Sequence, residues 1–243
     1  MANYLFHWEV FFQKASANAT YLDWIVEGVK VTVTVGLASW LLALALGTVL
    51  GVLRTLPNRF ASGFAAGYVE VFRNIPLLVQ LFIWYYAAPE LLPGGESLKA
   101  LNPVTQQVLA AVVCLGSFTA ARVCEQVRAG INSLSHGQKN AALALGMNLP
   151  RTYRYVLLPM ALRIIVPPLT TEFVNVFQNS AVASTIGLLD LAGQGRQLVD
   201  YTARPYESFI VVTLLYFGLN AAIMIFMRWL EQRSRVPGYI GSK

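Results

Sequence analysis

Val31 to Leu53 runs for 23 residues without a charged side chain. About 20 such residues span a bilayer core as a helix, and inside hydrocarbon every backbone N–H and C=O must find its partner within the fold. Further runs follow the same rule. Val104 to Ala121 is ended by Arg122, Ser208 to Met227 is ended by Arg228, and Ile164 to Leu189 is apolar except for Glu172. Asn74 to Pro89 is short and completes a span if Phe72 and Arg73 form its inner end. The fold expected is an all-α integral membrane protein with five transmembrane helices. Charged residues make up only 12% of the chain against 56% hydrophobic, about half the charge of an ordinary soluble domain, which excludes a water-soluble globule of this size.

Five spans place the termini on opposite sides, and the bias of Lys and Arg between the loops gives the orientation. Thirteen of the 18 basic residues fall in the segments carrying Arg54, Arg59 and Arg73, then Arg122 to Arg163, then Arg228 to Lys243. The other set holds Lys14, Lys30, Lys99, Arg196 and Arg204. The N-terminus is therefore expected outside and the C-terminus in the cytoplasm. The organisation expected is a periplasmic or interfacial segment over 1–27, a transmembrane domain over 28–230 with a cytoplasmic loop at about 122–163, and a cytoplasmic tail over 231–243. The net charge of +6 reads as topology, not as a nucleic-acid footprint. Met1 to Val10 has no basic n-region of a signal peptide. Cys114 and Cys124 stand about 15 Å apart on one helix, too far for a disulfide.

The loop from Arg122 to Arg163 has helical punctuation of its own. Ser135-His136-Gly137-Gln138 fits a capping box, the Ser135 hydroxyl accepting a backbone N–H and Gln138 reaching back. Helix formers continue through Leu145, and Gly146 supplies a stop. Asn148 and Pro150 suit a second short helix ending near Pro159. Such a segment serves either as a solvated connector or as a rigid helix fitted to a partner's groove.

The sequence is expected to carry no catalysis of its own. No phosphate-cradling glycine loop is present. His7 and His136, the only histidines, have no Cys or carboxylate at ligand spacing, which leaves neither a metal set nor a nucleophilic triad. Glu172 is the informative residue, because a charge at that depth costs about 2.5–3.5 kcal/mol on insertion scales. Pro167-Pro168 should break or kink its helix. Thr171, Glu172, Asn175, Gln178 and Asn179 continue from Pro168 at i, i+3, i+4 spacing, on one face. They form either a polar seam between helices or a translocation path. Glu172 would then hold a substrate ammonium, with Asn175, Gln178 or donors near the proline break facing carboxylates, or would pair with a cation on a partner chain.

Gly137-Gln138-Lys139-Asn140-Ala141-Ala142-Leu143-Ala144-Leu145-Gly146, followed by Leu158-Pro159, resembles the EAA loop of ABC importer permeases, with Asn140 where glutamate often opens the motif. Phe72-Arg73-Asn74-Ile75-Pro76-Leu77-Leu78-Val79-Gln80, Glu125 to Ile131, and Ile164 to Leu189 narrow the resemblance to the polar amino acid uptake family, glutamate/aspartate-like. It implies a type I importer permease in the bacterial inner membrane, pairing with itself or a similar permease, two cytoplasmic ABC ATPases and a periplasmic amino-acid-binding protein. Gly137, Asn140, Ala141, Ala142, Leu145 and Gly146 would then form an ATPase-coupling helix. This chain would bind no cofactor, with ATP and Mg on the ATPase. Two rivals come from other classes. An ion-coupled secondary transporter would carry its own ion site and often an internal repeat, and a receptor or scaffold would have no use for a polar stripe at Glu172.

Overall fold

The computed structural model describes residues 5–234. The basic residues Arg235 and Lys243 of the expected tail lie outside the described residues. A short ladder, β1 (Lys14–Ser16) against β2 (Ala19–Thr20), precedes α1 (Tyr21–Leu53). Then follow α2 (Arg59–Asn74), α3 (Leu77–Leu91), α4 (Gly95–Lys99), α5 (Pro103–Asn132), α6 (His136–Ala144), α7 (Leu149–Ile186), α8 (Leu191–Thr202) and α9 (Pro205–Ser234). Among the described residues, α1, α5, α7 and α9 are long and apolar enough to cross a membrane, and a fifth span exists only if α2 and α3 count as one broken crossing.

Phe72 and Arg73 do not open the second apolar run. They end α2, and the chain leaves helical geometry at Ile75, with φ −95° and ψ 128°. The cause is Pro76, whose ring clashes with a helical backbone at the residue before it. Arg122 ends the uncharged run but not the helix, since α5 continues ten residues beyond it to Asn132.

Two expected breaks in α7 are absent. No helix ends near Pro159, because Tyr153–Leu157 winds as a wider π-type turn in which Leu158 N–H bonds the Tyr153 carbonyl five residues back. A proline ring collides with the carbonyl four residues before it, and here that carbonyl, of Tyr155, lies inside the widened turn. The same device precedes Pro89, where Ile83–Ala87 widens and Ala88 N–H bonds the Ile83 carbonyl. Pro167 and Pro168 sit inside an unbroken helix. Packing outweighs the two lost donors: Ile165 and Leu169 on the flanks are buried, and the glycine at 130 admits Ile165, since a β-carbon there would lie 2.5 Å from its Cγ2.

The chain packs as two compact units. One gathers residues up to Ser39, Leu77–Leu115 and Val176–Ala222. Its core joins Val10, Phe11, Tyr21 and Ile25 to Leu191, Leu198 and Val212, with a second cluster of Val35, Ala111, Leu115, Ala183 and Leu188. Asp190 caps α8, accepting the Gly193 N–H at 2.9 Å and the Tyr216 hydroxyl at 3.2 Å, while the Leu191 N–H bonds Thr32 Oγ1 at 3.0 Å. Burial pushes the Asp190 carboxyl up to about 6, against the bonds from Gly193 and Tyr216 that favour its charge. The folded state therefore holds this proton more tightly than the unfolded chain, and its stability falls as pH rises between about 4 and 6. Melting of the purified protein at pH 5 and pH 7 should show this component, and Asp190→Asn should remove it. An unchanged pH difference in Asp190→Asn would contradict the assignment.

The other unit contains Trp40–Pro76, Gly116–Asn175 and the described residues from Ile223. Its core is Leu50, Ala65, Val69, Ala121 and Cys124. Here α1 and α5 touch through small residues. A β-carbon at Gly47 would lie 2.6 Å from Val123 Cβ, and one at Gly51 the same distance from Val127 Cβ. Small residues four apart let membrane helices approach closely, and these two do so on α1. Gly51→Leu should lower stability by about 1–3 kcal/mol through overpacking, read by heat denaturation of the purified protein. Gly67→Leu, where an added β-carbon meets nothing within 4 Å, should not lower it, since replacing a glycine inside a helix favours the helix by about 0.5–1 kcal/mol.

Candidate functional site

Two features of the second unit invite a function. The first is α6 with its mounts. Ser135 occupies the N-cap in extended geometry, but its side chain makes no cap hydrogen bond, so the expected capping box does not form. The helix closes as the sequence anticipates. Gly146 has φ +82°, its N–H bonds the Leu143 carbonyl at 3.0 Å, and the Met147 N–H bonds the Ala142 carbonyl at 3.1 Å. This pair of bonds defines a Schellman stop with glycine in the left-handed position.

The next helix starts at once. Asn148 Oδ1 accepts the Arg151 N–H at 3.1 Å, and the Tyr153 hydroxyl donates to the Thr55 carbonyl at 2.8 Å. Thr152 and Tyr153 are buried. The short helix is thus closed by a glycine stop, and α7, which follows at once, is held by its Asn148 cap and by the Tyr153 bond to Thr55 just past the end of α1. Of the residues expected to couple, Gly137, Asn140, Ala141, Leu145 and Gly146 are exposed. Ala142 is buried in its own chain. Leu145 is 83% exposed and Leu143 40%, an apolar flank left open among the described residues.

The second feature is a polar cavity of about 440 Å³ lined by Arg73, Phe118, Arg122, Glu125, Gln126 and Glu172. Phe118, Arg122, Glu125 and Gln126 follow the i, i+4, i+7, i+8 spacing of one face of α5. Arg122 Nη1 lies 3.4 Å from Glu172 Oε2, and its guanidinium stands over the Phe118 ring, 4.7 Å from the centroid. Within this chain, Arg122 is the cation that faces Glu172. Glu125 pairs with Arg54 and also accepts from Arg128, whose Nη2 is 2.9 Å away. Arg73 is exposed and has no ion pair among the described residues.

Of the expected polar path, only Glu172 lines the cavity. Thr171 is exposed and Asn175 half-buried. Gln178 and Asn179 fall in the other unit, where Gln178 is exposed and Asn179 borders a narrow pocket with Leu77, Leu81, Cys114, Leu115, Val182 and Ala183. Arg122, Arg73 and Gln126 were not singled out as a site. The signal was an arginine at the end of an uncharged run, which reads equally as a loop residue or, if the helix continues, as a cation facing Glu172.

The family described as binding-protein-dependent transport system inner membrane component matches residues 43–236. The glutamate/aspartate import permease protein GltJ of Escherichia coli strain K12 is 54% identical over 241 residues, covering 98% of each chain. GltK, the glutamate/aspartate import permease protein of E. coli O6:H1, is 29% identical over 88% of this chain and 94% of its own length. A crystal structure of an amino acid ABC transporter with histidines superposes with a TM-score of 0.72 at 28% identity, covering 88% of this chain and 95% of that one.

Proposed function

The chain belongs to the binding-protein-dependent transport system inner membrane components, and from that premise we propose that it forms the solute path of an importer for glutamate and aspartate. It is a multi-pass permease of the bacterial inner membrane, one part of a multi-subunit ABC importer, and not an enzyme. Its partners are a second permease, this chain or a similar one, with two cytoplasmic ABC ATPases and a periplasmic amino-acid-binding protein. ATP and Mg are held on the ATPases, and this chain binds no cofactor.

The observation that carries the coupling reading is the apolar, exposed flank at Leu143 and Leu145 on a helix joined through a glycine stop to α7, which is itself bonded to Thr55 just past α1. A rigid helix passes on a push; a mobile loop would absorb it. Gly137, Asn140, Ala141, Leu145 and Gly146 form the face toward the ATPase, and motion there drives alternating access by rigid-body movement. The acidic substrate is supported by the high identity to a glutamate/aspartate permease and by the arginines of the cavity. Purification from native membranes followed by mass spectrometry of the associated subunits tests the assembly. Recovery of an ABC ATPase and a second permease is expected; recovery of the chain alone would contradict it.

The orientation follows the basic loops. A cysteine placed at Glu96 should be labelled from the periplasm by an impermeant thiol reagent, and one at Ser133 only after the membrane is opened. Labelling of Ser133→Cys in intact spheroplasts would invert the topology.

A further inference from the structure

The charges around the cavity do not cancel. Glu125 is committed to Arg54 and Arg128, which leaves Arg73, Arg122 and Glu172 as the lining charges available to a ligand, a net of one positive. The Arg122–Glu172 contact is a single long bond of 3.4 Å, not the bidentate fork that arginine and carboxylate form when fully engaged. The volume lies within the range of about 300–1,000 Å³ usual for small-molecule sites.

Resting on the importer reading, we infer that Arg122, together with Arg73, is the specificity-determining element of this permease, selecting solutes that carry two carboxylates and one ammonium. Such a solute has a net charge of minus one and complements the cavity group by group. One carboxylate takes the guanidinium of Arg122, the second takes Arg73, and the ammonium takes the Glu172 carboxylate as it leaves Arg122. The resting ion pair keeps both charges compensated while the cavity is empty and opens when the ligand supplies a better partner for each. A neutral amino acid leaves one guanidinium unmatched, and a basic one adds a second cation to a cavity that already has an excess. Planar, paired donors suit a carboxylate better than the point charge of lysine. The roles differ from those suggested by the sequence: the carboxylates go to arginines of α2 and α5, not to amides further along α7.

The test uses the detergent-purified complex of this chain with its ATPase and second permease, without binding protein, and measures equilibrium binding of radiolabelled L-glutamate and L-glutamine. These differ by one carboxylate. The wild-type complex should prefer glutamate at least tenfold. Arg122→Gln should weaken glutamate binding tenfold or more and leave glutamine within about twofold, erasing the preference, while Arg122→Lys should fall between. Glu172→Gln should erase discrimination between glutamate and N-acetylglutamate, which lacks the ammonium. Should Arg122→Gln fail to assemble, the pair Arg122→Gln/Glu172→Gln removes both members of the ion pair together and answers the same question: assembly with glutamate preference still lost is expected. Recovery of the preference in that pair, or its persistence in Arg122→Gln, would make the ion pair structural and overturn the inference. Glutamate uptake by the wild-type complex would in that event leave the importer reading standing. Failure of the wild type to carry any acidic amino acid would remove the reading beneath both.

Discussion

Leu145→Asp is expected to reduce ATP-driven uptake by at least a hundredfold while the permease still inserts and folds. Leu145 is 83% exposed in this chain, so the substitution costs the isolated subunit little. Docked against an apolar groove, the new carboxylate would be desolvated without a partner, a loss of about 3 kcal/mol or more, and about 1.4 kcal/mol already corresponds to tenfold in an equilibrium constant. Gly146→Asp adds strain, because φ there is +82° and an L side chain in that region costs about 1–2 kcal/mol. Ala142→Asp should behave differently. Ala142 is buried against its own chain, so a charge there disrupts the loop itself and lowers the yield of folded permease. Co-purification of the ATPase separates the cases: Leu145→Asp should yield folded permease without ATPase. Retained ATPase with normal uptake would refute the docking face.

Glu125→Ala carries the second large effect, on stability. Its carboxylate bridges Arg54 at the end of α1 and Arg128 on α5, so its loss leaves two guanidinium groups without their anion. Removing one partner of a buried pair costs about 3–5 kcal/mol; with 22% exposure of Glu125 and 40% of Arg128 solvent screens part of this, and a loss of about 1–3 kcal/mol is expected. Heat-induced aggregation of the purified protein should shift to lower temperature in Glu125→Ala, less in Glu125→Gln, which keeps an acceptor. If Arg54→Gln is added to Glu125→Gln, much of the loss should return. A Glu125→Ala protein as stable as the wild type would show that the cluster contributes nothing.

How much of this was written in the sequence depends on whether the deciding force is local. The uncharged runs, the glycine stop at Gly146 and the Asn148 cap depend on nearest neighbours and are found where the pattern places them. The prolines were misread for the opposite reason. Pro167-Pro168 has strong helix-breaking chemistry, yet buried Ile165 and Leu169 hold the helix through it, and Pro159 is accommodated by a widened turn that no local signal marks. Pro76 does break its helix, since the Ile75 backbone turns extended there. The site was half legible. Glu172 stood out because a lone charge in a span needs compensation, but its partner lies 50 residues away, and Arg122 looked like the edge of a loop until α5 was seen to continue past it. The Gly47 and Gly51 contacts with α5 were likewise invisible without knowing which helices meet.

The account rests on one claim, that this chain moves acidic amino acids with energy supplied as ATP by another subunit. The direct measurement is uptake of radiolabelled glutamate and aspartate into proteoliposomes holding this permease with its partner permease and ATPase. ATP is placed inside or omitted, and the loaded binding protein is placed outside or omitted. Accumulation only when both are present is the result expected, with Leu145→Asp inactive under the same conditions. Uptake without ATP, driven by an imposed ion gradient, would contradict the claim and make the chain a secondary transporter.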